Sequence, residues 1–165
     1  MITITEEPYD GPLAQSFVKQ LLVDLNERYA DYDGPDTQTD DDYLSEVTAA
    51  MVRAPRGTFL VAWFEGAAAG CGAVKPLDQD PSIGEIKRMY TAPTARRRGI
   101  SRQLLERLEE IAGDLGYRRL QLETGTAQPE AIALYETAGW HRITPYGHYK
   151  DSPDSVCFAK ELGQV

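Results

Sequence analysis

The sequence predicts a mixed α/β domain in which helices flank a central, mostly antiparallel sheet. Its 165 residues are enough for one sizeable core, whereas two domains of this total length would each be thin. We therefore treat residues 1–165 as a single domain. Short apolar runs between turn residues indicate strands, and apolar residues at helical spacing indicate helices. Hairpins early in the chain, followed by alternating strands and helices, favour a mixed sheet.

Six segments are predicted as strands. They are residues 1–5, 58–64, 68–74, 83–91, 119–124 and 156–162. Glu65-Gly66 supplies a turn between the second and third strands, and Pro81-Ser82 a turn before the fourth. These turns predict antiparallel neighbours in the first half of the sheet.

Four segments have the periodicity of helices. The first begins at Pro12 and ends at the Asp33-Gly34-Pro35 break. The second follows a cluster of aspartates and places on one side Tyr43, Leu44, Val47 and Met51. The third follows Gly99 and has a strongly apolar face, and the fourth covers residues 129–138.

The composition limits the compartment and the partners of the protein. The formal net charge of −9 argues against DNA or RNA, because proteins gain most nonspecific nucleic-acid affinity by neutralising phosphates. No apolar run reaches about 18 residues, so we expect no membrane partner. The first ten residues lack the basic and apolar parts of a signal peptide, which predicts a cytoplasmic protein. Cys71 and Cys157 are expected as free buried thiols, with a disulfide as the alternative.

Acidic and basic residues are concentrated in different parts of the chain. Seven acidic residues, with no Lys or Arg among them, are Asp31, Asp33, Asp36, Asp40, Asp41, Asp42 and Glu46. The basic cluster consists of Arg96, Arg97, Arg98 and Arg102. We expect the acidic segment, residues 31–46, to border a cationic acceptor; the alternative is an acidic face that contacts only solvent.

A basic turn lies between a predicted strand and the helix after it. Its sequence from Thr91 to Ser101 is Thr-Ala-Pro-Thr-Ala-Arg-Arg-Arg-Gly-Ile-Ser. Backbone N–H groups at a helix start lack intrahelical partners and the dipole there is positive, so such a turn can hold a phosphate. Gly99 lets the backbone approach a ligand closely because it has no Cβ. The alternative is a solvated basic loop, and the GxxxxGK[ST] and GxGxxG patterns are absent.

Two blocks of the sequence, residues 85–101 and 128–140, resemble motifs of the GNAT superfamily of acetyl-CoA-dependent N-acetyltransferases. Glu85-Ile-Lys-Arg-Met-Tyr-Thr-Ala-Pro93, followed by Arg96-Arg-Arg-Gly-Ile-Ser101, is similar to the family's acetyl-CoA signature, Gln/Arg-x-x-Gly-x-Gly/Ala. Gln128-Pro-Glu-Ala-Ile-Ala-Leu-Tyr-Glu-Thr-Ala-Gly-Trp140 is similar to its second block, which ends in Ala-x-x-x-Tyr-Glu-x-x-Gly-Phe. The blocks occur in the family's order, which is more specific than either block alone, and the likeness covers residues 58–162 well.

The resemblance implies that acetyl-CoA is the co-substrate. The implied cofactor-binding residues are Met89, Tyr90, Thr91, Arg96, Arg97, Arg98, Gly99, Ile100, Ser101, Arg102 and Gln128. Backbone amides of residues 97–102 would bind the pyrophosphate, and main-chain groups of residues 89–91 would pair with the pantetheine arm. An amide near Met89 or Tyr90 would act as an oxyanion donor. Ser101 replaces the family's usual Gly or Ala, and Gln128 stands where many members have Asn.

Glu85 is the predicted general base. An alkylammonium with a pKa of about 10.4 must lose a proton before it attacks a thioester, which costs about 4.6 kcal/mol at neutral pH. Glu85 lies fourteen positions before Gly99, an offset that resembles the glutamate base of the family's histone-acetyltransferase branch. The alternative is a sheet glutamate paired with Lys87 or an arginine. Strand alternation predicts that Glu85, Lys87 and Met89 share one face.

Tyr135 is the predicted general acid, since the resemblance implies that its phenol lies close to the sulfur of coenzyme A. The alternative is a core aromatic residue that packs with Ile132 and Leu105. His141 and His148 are weaker candidates, because a lone loop histidine is more often simply exposed. No metal-ligand spacing or nucleophile elbow is present, so we expect no metal and no Ser-His-Asp triad.

These features predict an N-acetyltransferase that moves an acetyl group from acetyl-CoA to a primary amine, with a small cationic acceptor. No cysteine lies in a convincing nucleophile setting, so we expect direct transfer in a ternary complex, as is normal in the family. Two alternatives stay open: acetylation of lysines or N-termini in proteins or peptides, and a non-catalytic domain that senses acyl-CoA. A homodimer through the C-terminal strands, common in the family, is a further expectation.

Overall fold

The computed structural model describes residues 1–31 and 39–163. In chain order the elements of this part of the protein are β1 (Ile2–Glu6), α1 (Pro12–Arg28), α2 (Asp40–Ser45), β2 (Thr58–Phe64), β3 (Ala67–Pro76), β4 (Gly84–Thr91), α3 (Ile100–Asp114), β5 (Arg119–Gly125), α4 (Pro129–Thr137), β6 (His141–Ile143) and β7 (Ser155–Glu161). A short 3-10 helix, Pro93–Ala95, precedes α3. The predicted break at residues 33–35 lies outside the described residues.

The strands of the described chain form one sheet in the order β1-β2-β3-β4-β5-β7-β6. Neighbouring strands are antiparallel except β4 and β5, which are parallel. The parallel pair is joined through α3, because two parallel strands need a long crossover between them. The predicted mixed and mostly antiparallel sheet is confirmed.

Helices cover both faces of the sheet and bury the apolar stripes that the sequence shows. On one face, α3 packs through Leu104 and Leu108, which are fully buried, and α4 adds Tyr135 to the same cluster. On the other face, α1 packs through Phe17 and Leu21. No helix within residues 1–31 and 39–163 is both long enough and apolar enough to cross a membrane.

The second helix is shorter than its apolar pattern indicates. It begins with a capping box in which the Asp42 amide donates to Oγ1 of Thr39 and the Asp42 carboxylate accepts from the Thr39 amide. It ends at Ser45, so Val47 is buried from the turn that follows and Leu44 is exposed. Apolar spacing therefore identified most of the contacts but not the backbone conformation that makes them, since turns can bury side chains at similar intervals.

Strand β6 lies outside the predicted strands. It has three residues, of which His141 and Arg142 are exposed. Its pairing with β7 defines it, and so short and polar a segment carries no alternating pattern.

Candidate active site

Strands β4 and β5 separate partway along the sheet. In the described chain they pair at Gly84 with Leu120 and at Glu85 with Gln121, and both strands then continue without pairing to each other. Backbone N–H and C=O groups along the two facing edges are therefore left without a strand partner. An extended ligand arm can bind such an edge as an added strand does.

A β-bulge in β4 accounts for this separation. The register between β3 and β4 shifts between Cys71 and Ala73, and Arg88 has a φ of +60°. A bulge sets an extra residue against the partner strand, bends the strand and increases its twist. As a result, β4 turns away from β5 soon after Glu85.

The bulge also changes which side chains share a face of β4. Lys87 extends toward α2, where its Nζ lies 3.2 Å from Oε2 of Glu46. Met89 instead packs against the cluster beneath α3, with its Sδ close to Gly72. The prediction that Met89 shares a face with Glu85 and Lys87 is wrong, because the extra residue interrupts the alternation.

The turn before α3 presents open main-chain donors. Gly99 is the N-cap of α3 with a φ of +77°, in the left-handed region that favours glycine. The first helical hydrogen bond runs from the Gln103 N–H to the Gly99 C=O at 3.1 Å, so the amides of Ile100, Ser101 and Arg102 have no partner within the helix. Apart from Gly99 and the adjoining backbone, no described atom lies within 4 Å of the place where a Cβ of Gly99 would stand. This arrangement suits an anion.

Arginine side chains around this turn bind neighbouring groups. Arg96 Nη2 lies 3.6 Å from Oδ1 of Asp24 in α1, and the Arg98 guanidinium lies over the Phe64 ring at 4.7 Å from its centroid. Arg97 is exposed. Positive charge therefore lies beside the turn. The hydrogen-bond donors of the turn that lack helical partners are backbone N–H groups.

A hydrogen bond links the end of β4 to the start of α3. The hydroxyls of Thr91 and Ser101 lie 2.6 Å apart. This bond fixes the strand edge relative to the turn, so that a ligand can contact both at a constant spacing.

A cavity of about 290 Å³ opens where β4 and β5 separate. It lies between α1 and α2 on one side and α4 with the segment 149–155 on the other, and β4 and β5 both contribute to it. Of the predicted site residues, Met89, Gln128 and Tyr135 line this cavity, and Glu85 does not. Its charged lining residues are Asp40, Glu46, Lys87, Arg88, Glu123 and Asp154.

Glu123 lines the cavity from β5 and is absent from the predicted site residues. Burial raises the pKa of its carboxyl to about 7, and the charges of Glu85 and Glu46 act in the same direction. The Ser155 hydroxyl donates to its Oε2 at 3.2 Å. A carboxyl with this pKa exchanges its proton near neutral pH, which suits a general base.

The alternation of β5 is the sequence signal that could have identified Glu123. Leu120 and Leu122 are both buried in the core beneath α3. Gln121 and Glu123 must then point to the opposite face, toward α1 and α2. An acidic residue on that face of β5, beside the open edge of β4, is a site candidate.

Glu85 lies in a buried cluster beside the cavity. Its Oε1 is 3.3 Å from Nζ of Lys75, and its Oε2 accepts a hydrogen bond from the Tyr146 hydroxyl at 2.8 Å. Lys75 is only 1% exposed and Glu85 7%. The ion-pair partner of Glu85 is therefore Lys75, whereas the Lys87 considered above contacts Glu46.

Tyr135 is at once a core residue and a cavity residue. Its ring packs against those of Trp140 and Phe158, with centroids 5.9 and 5.7 Å away. Burial raises the pKa of its phenol, which keeps the hydroxyl protonated at neutral pH. The two interpretations of Tyr135, core aromatic and proton donor, are therefore compatible.

Gln128 lies at the N-cap of α4 and contacts helix α1. Its Nε2 donates to the Tyr29 hydroxyl at 3.2 Å. That hydroxyl comes so close to Gly125 that a Cβ there would lie 2.0 Å from it. The loop between β5 and α4 is therefore packed directly against α1 at the edge of the cavity.

Solved structures of two GNAT-family acetyltransferases have the same fold as this chain. A GNAT-family acetyltransferase from Staphylococcus aureus matches with a TM-score of 0.75 at 16% identity, covering 99% of this chain and 100% of that one. A GNAT-family acetyltransferase from Elizabethkingia anophelis, with acetyl-CoA bound, matches with a TM-score of 0.66 at 22% identity over 98% of both chains.

The family itself follows from the sequence match. The model of the acetyltransferase (GNAT) family matches residues 20–140. An IAA acetyltransferase of Azospirillum brasilense is 37% identical over 98% of both chains. YsnE of Bacillus subtilis strain 168, described as an uncharacterized N-acetyltransferase, is 41% identical over 67% of this chain and 74% of that protein. This chain belongs to the GNAT acetyltransferase family and is an acyltransferase, which confirms the resemblance.

Proposed function

We propose that this protein acetylates the primary amine of a small cationic acceptor, by direct transfer from acetyl-CoA in a ternary complex. The observation that carries the proposal is the cavity at the separation of β4 and β5, which Glu123 and Tyr135 both line. Aminolysis of a thioester needs a group that takes a proton from the amine and a group that gives one to the departing thiolate. One cavity supplies both groups.

The turn before α3 and the open edge of β4 would together hold acetyl-CoA. The amides of Ile100, Ser101 and Arg102, with the open Gly99 turn, would bind the pyrophosphate. The unpaired edge of β4 over residues 89–91 would bind the pantetheine arm by main-chain hydrogen bonds. We assign Gln128 a contact with the cofactor, because it lines the cavity and its side-chain amide could exchange the hydrogen bond to Tyr29 for one to the ligand.

Glu123 is the residue to which we assign proton removal. It faces the cavity, and its pKa of about 7 leaves a large ionised fraction at neutral pH while keeping it basic enough to accept a proton. Glu85 is the alternative base, and its carboxylate is occupied by Lys75 and Tyr146. Transfer of the amine proton to Glu123 needs no rearrangement of a buried ion pair.

Tyr135 is the residue to which we assign proton return. The amine nitrogen forms a bond to the thioester carbon while the C–S bond breaks, and the sulfur leaves with the electron pair of that bond. The Tyr135 phenol, held protonated by burial, then gives its proton to the thiolate. A bound ammonium gives one proton to Glu123 before attack, and its nitrogen loses a second proton once the C–N bond has formed, which restores the phenol of Tyr135. The net reaction yields the N-acetyl product, the thiol of coenzyme A and one proton, which passes from Glu123 to solvent.

The two cysteines support direct transfer rather than an acyl-enzyme. Cys71 and Cys157 are both buried and free, as predicted. Burial raises the pKa of each thiol. Because the thiolate is the nucleophilic form, neither residue is prepared for attack on a thioester.

The acceptor side of the cavity is acidic. Asp40, Glu123 and Asp154 lie on it, and Lys87 is paired with Glu46. This charge favours a cation, and two residues of the acidic segment, Asp40 and Glu46, contribute to it. Because the Azospirillum brasilense relative is described as an IAA acetyltransferase, IAA also belongs among the acceptors to be tested on this chain.

Calorimetric titration with acetyl-CoA, followed by a thiol-release assay over small amines, lysine peptides and IAA, tests the proposal. We expect saturable acetyl-CoA binding and release of coenzyme A with at least one small amine. Release with peptides alone would favour a protein acetyltransferase. Binding without release for any acceptor would favour the sensing domain, and no binding at millimolar acetyl-CoA would overturn the proposal.

A further inference from the structure

Aromatic and leucine side chains form much of the cavity on its acceptor side. Tyr29 follows α1, Tyr43 lies in α2, and Tyr149 lies between β6 and β7, so three separate segments each contribute a phenol ring. Leu22 and Leu25 of α1 line the same cavity. Tyrosine rings and leucines together offer a broad apolar surface with a few hydroxyls, which binds aromatic groups well.

The two basic side chains in the described lining of the cavity, Lys87 and Arg88, already have interaction partners. Nζ of Lys87 lies 3.2 Å from Oε2 of Glu46. Arg88 lies over the Tyr43 ring at 4.0 Å from its centroid and donates to the Tyr43 C=O at 2.7 Å. A carboxylate on the acceptor would therefore have to break one of these contacts while also facing the acidic lining.

Tyr149 connects the aromatic surface to the proposed base. Burial raises the pKa of its phenol, and the carboxylates of Glu46 and Glu123 act in the same direction. Tyr149 and Glu123 line the same cavity, together with Glu46. An acceptor whose amine approaches Glu123 would place the rest of its structure against this ring and that of Tyr43.

We propose that the acceptor is a primary amine carried by an aromatic group, with no carboxylate of its own. This inference rests on the proposed function and specifies its substrate class. The ammonium enters the acidic part of the cavity at Glu123, and the aromatic group packs on the tyrosines and leucines. An aromatic amino acid is disfavoured by its carboxylate, and a polyamine leaves the aromatic surface uncovered.

Four amines separate these features in a thiol-release assay with saturating acetyl-CoA. Phenethylamine has the ring and one amine, butylamine lacks the ring, phenylalanine adds a carboxylate, and spermidine adds positive charge without a ring. We expect kcat/KM for phenethylamine to exceed that of each of the others roughly tenfold or more. Equal or better turnover of phenylalanine or spermidine would overturn the substrate class while leaving the proposed function intact.

Two variants test whether the preference for an aromatic amine arises from the tyrosines and leucines of the cavity. Leu25→Ala and Tyr149→Leu should each lower the ratio of kcat/KM for phenethylamine over butylamine by roughly threefold or more. Val23→Ala is the matched control, because Val23 lies on the same helix but is 57% exposed. A ratio unchanged in both cavity variants would refute the inference. No coenzyme A release with any amine would overturn the proposed function and this inference together, and calorimetry would then show whether acetyl-CoA still binds.

Discussion

Two glutamates on adjacent parallel strands have different surroundings, and these surroundings suggest different roles. Glu85 contacts a buried ammonium and a hydroxyl, those of Lys75 and Tyr146. Glu123 accepts hydrogen bonds from the Ser155 hydroxyl and the Cys157 thiol, and its desolvation raises the pKa more than the nearby charge of Lys87 lowers it. The first arrangement fixes a charge within the fold, and the second prepares a group to exchange its proton.

Replacement of Glu123 by glutamine should remove the base without changing the shape of the side chain. We expect kcat/KM to fall roughly 10²- to 10⁴-fold, the usual contribution of a positioned base. In the parent protein, kcat/KM should rise with pH toward about 7, because Glu123 must be ionised to accept a proton. That rise should be absent in Glu123→Gln when the pH profile is measured by thiol release.

Glu85→Gln is the matched control for this prediction. It leaves the Lys75 ammonium with less compensation in a buried site, so the free energy of unfolding should fall by roughly 3 kcal/mol. For the variant protein that is folded, kcat/KM should still rise with pH toward neutral pH. If Glu85→Gln loses that rise and Glu123→Gln keeps it, Glu85 is the base.

The sequence allowed some of these residues to be identified and not others, for physical reasons. Glu85 and Tyr135 belong to motifs whose spacing is local, so a pattern locates them. The ion-pair partner of Glu85 is Lys75, which lies on the neighbouring strand β3. The spacing of residues within one strand does not reveal which residues of another strand lie opposite. The perturbed pKa of Glu123 arises from burial by several elements, although its face of β5 follows from alternation with Leu122.

At the scale of elements, the turn before α3 and the bulge in β4 differ in how well a sequence can reveal them. The turn combines glycine with the start of a clear helical pattern, and Gly99 does adopt a positive φ. The bulge has its positive φ at Arg88, a residue type that gives no hint of it. The strand was therefore predicted correctly, while its bend and the separation from β5 required the structure.

A pair of glycine variants tests the turn. Gly99→Ala should cost roughly 1 kcal/mol in stability, because alanine is strained at a φ of +77°. It should also raise the Kd for acetyl-CoA roughly tenfold, since the turn either relaxes or presents a methyl group to the pyrophosphate. Urea denaturation and calorimetry measure the two effects.

Gly113→Ala provides the comparison within the same helix. No described atom lies within 4 Å of a Cβ at this position, and it is inside α3 rather than at its start. Alanine there should stabilise the protein by roughly 0.5–1 kcal/mol and leave the Kd for acetyl-CoA unchanged. Equal Kd values for both variants would contradict the assignment of the Gly99 turn to the pyrophosphate.

At the scale of the whole molecule, helix α1 connects the basic turn before α3 to the start of α4. Asp24 contacts Arg96 of the basic turn, and Arg28 pairs with Glu130 and donates to the Ala127 C=O at 3.0 Å. These partners are far from α1 in sequence. Local patterns therefore predict the helix but not the residues that it contacts. These contacts hold α1 against the turn before α3 and the loop before α4, the two loops that we propose bind the cofactor.

The free energy of unfolding of the whole protein should depend on the ionisation of Glu123. Its carboxyl has a pKa of about 7 in the folded state against 4.5 in the unfolded chain. The folded state therefore holds the proton more tightly, and this contribution to stability is complete below about pH 4.5 and is lost as the pH rises through about 7. Since one pKa unit corresponds to about 1.4 kcal/mol, the loss amounts to roughly 3 kcal/mol.

Glu123→Gln has no such proton, so its stability relative to the parent should depend on pH. Urea denaturation should show that the variant gains roughly 3 kcal/mol on the parent between about pH 4.5 and about pH 8. A difference independent of pH would mean that Glu123 is not desolvated. The same substitution should therefore remove activity and, above neutral pH, increase stability. The reason is that an ionised carboxylate that is partly desolvated destabilises the folded state.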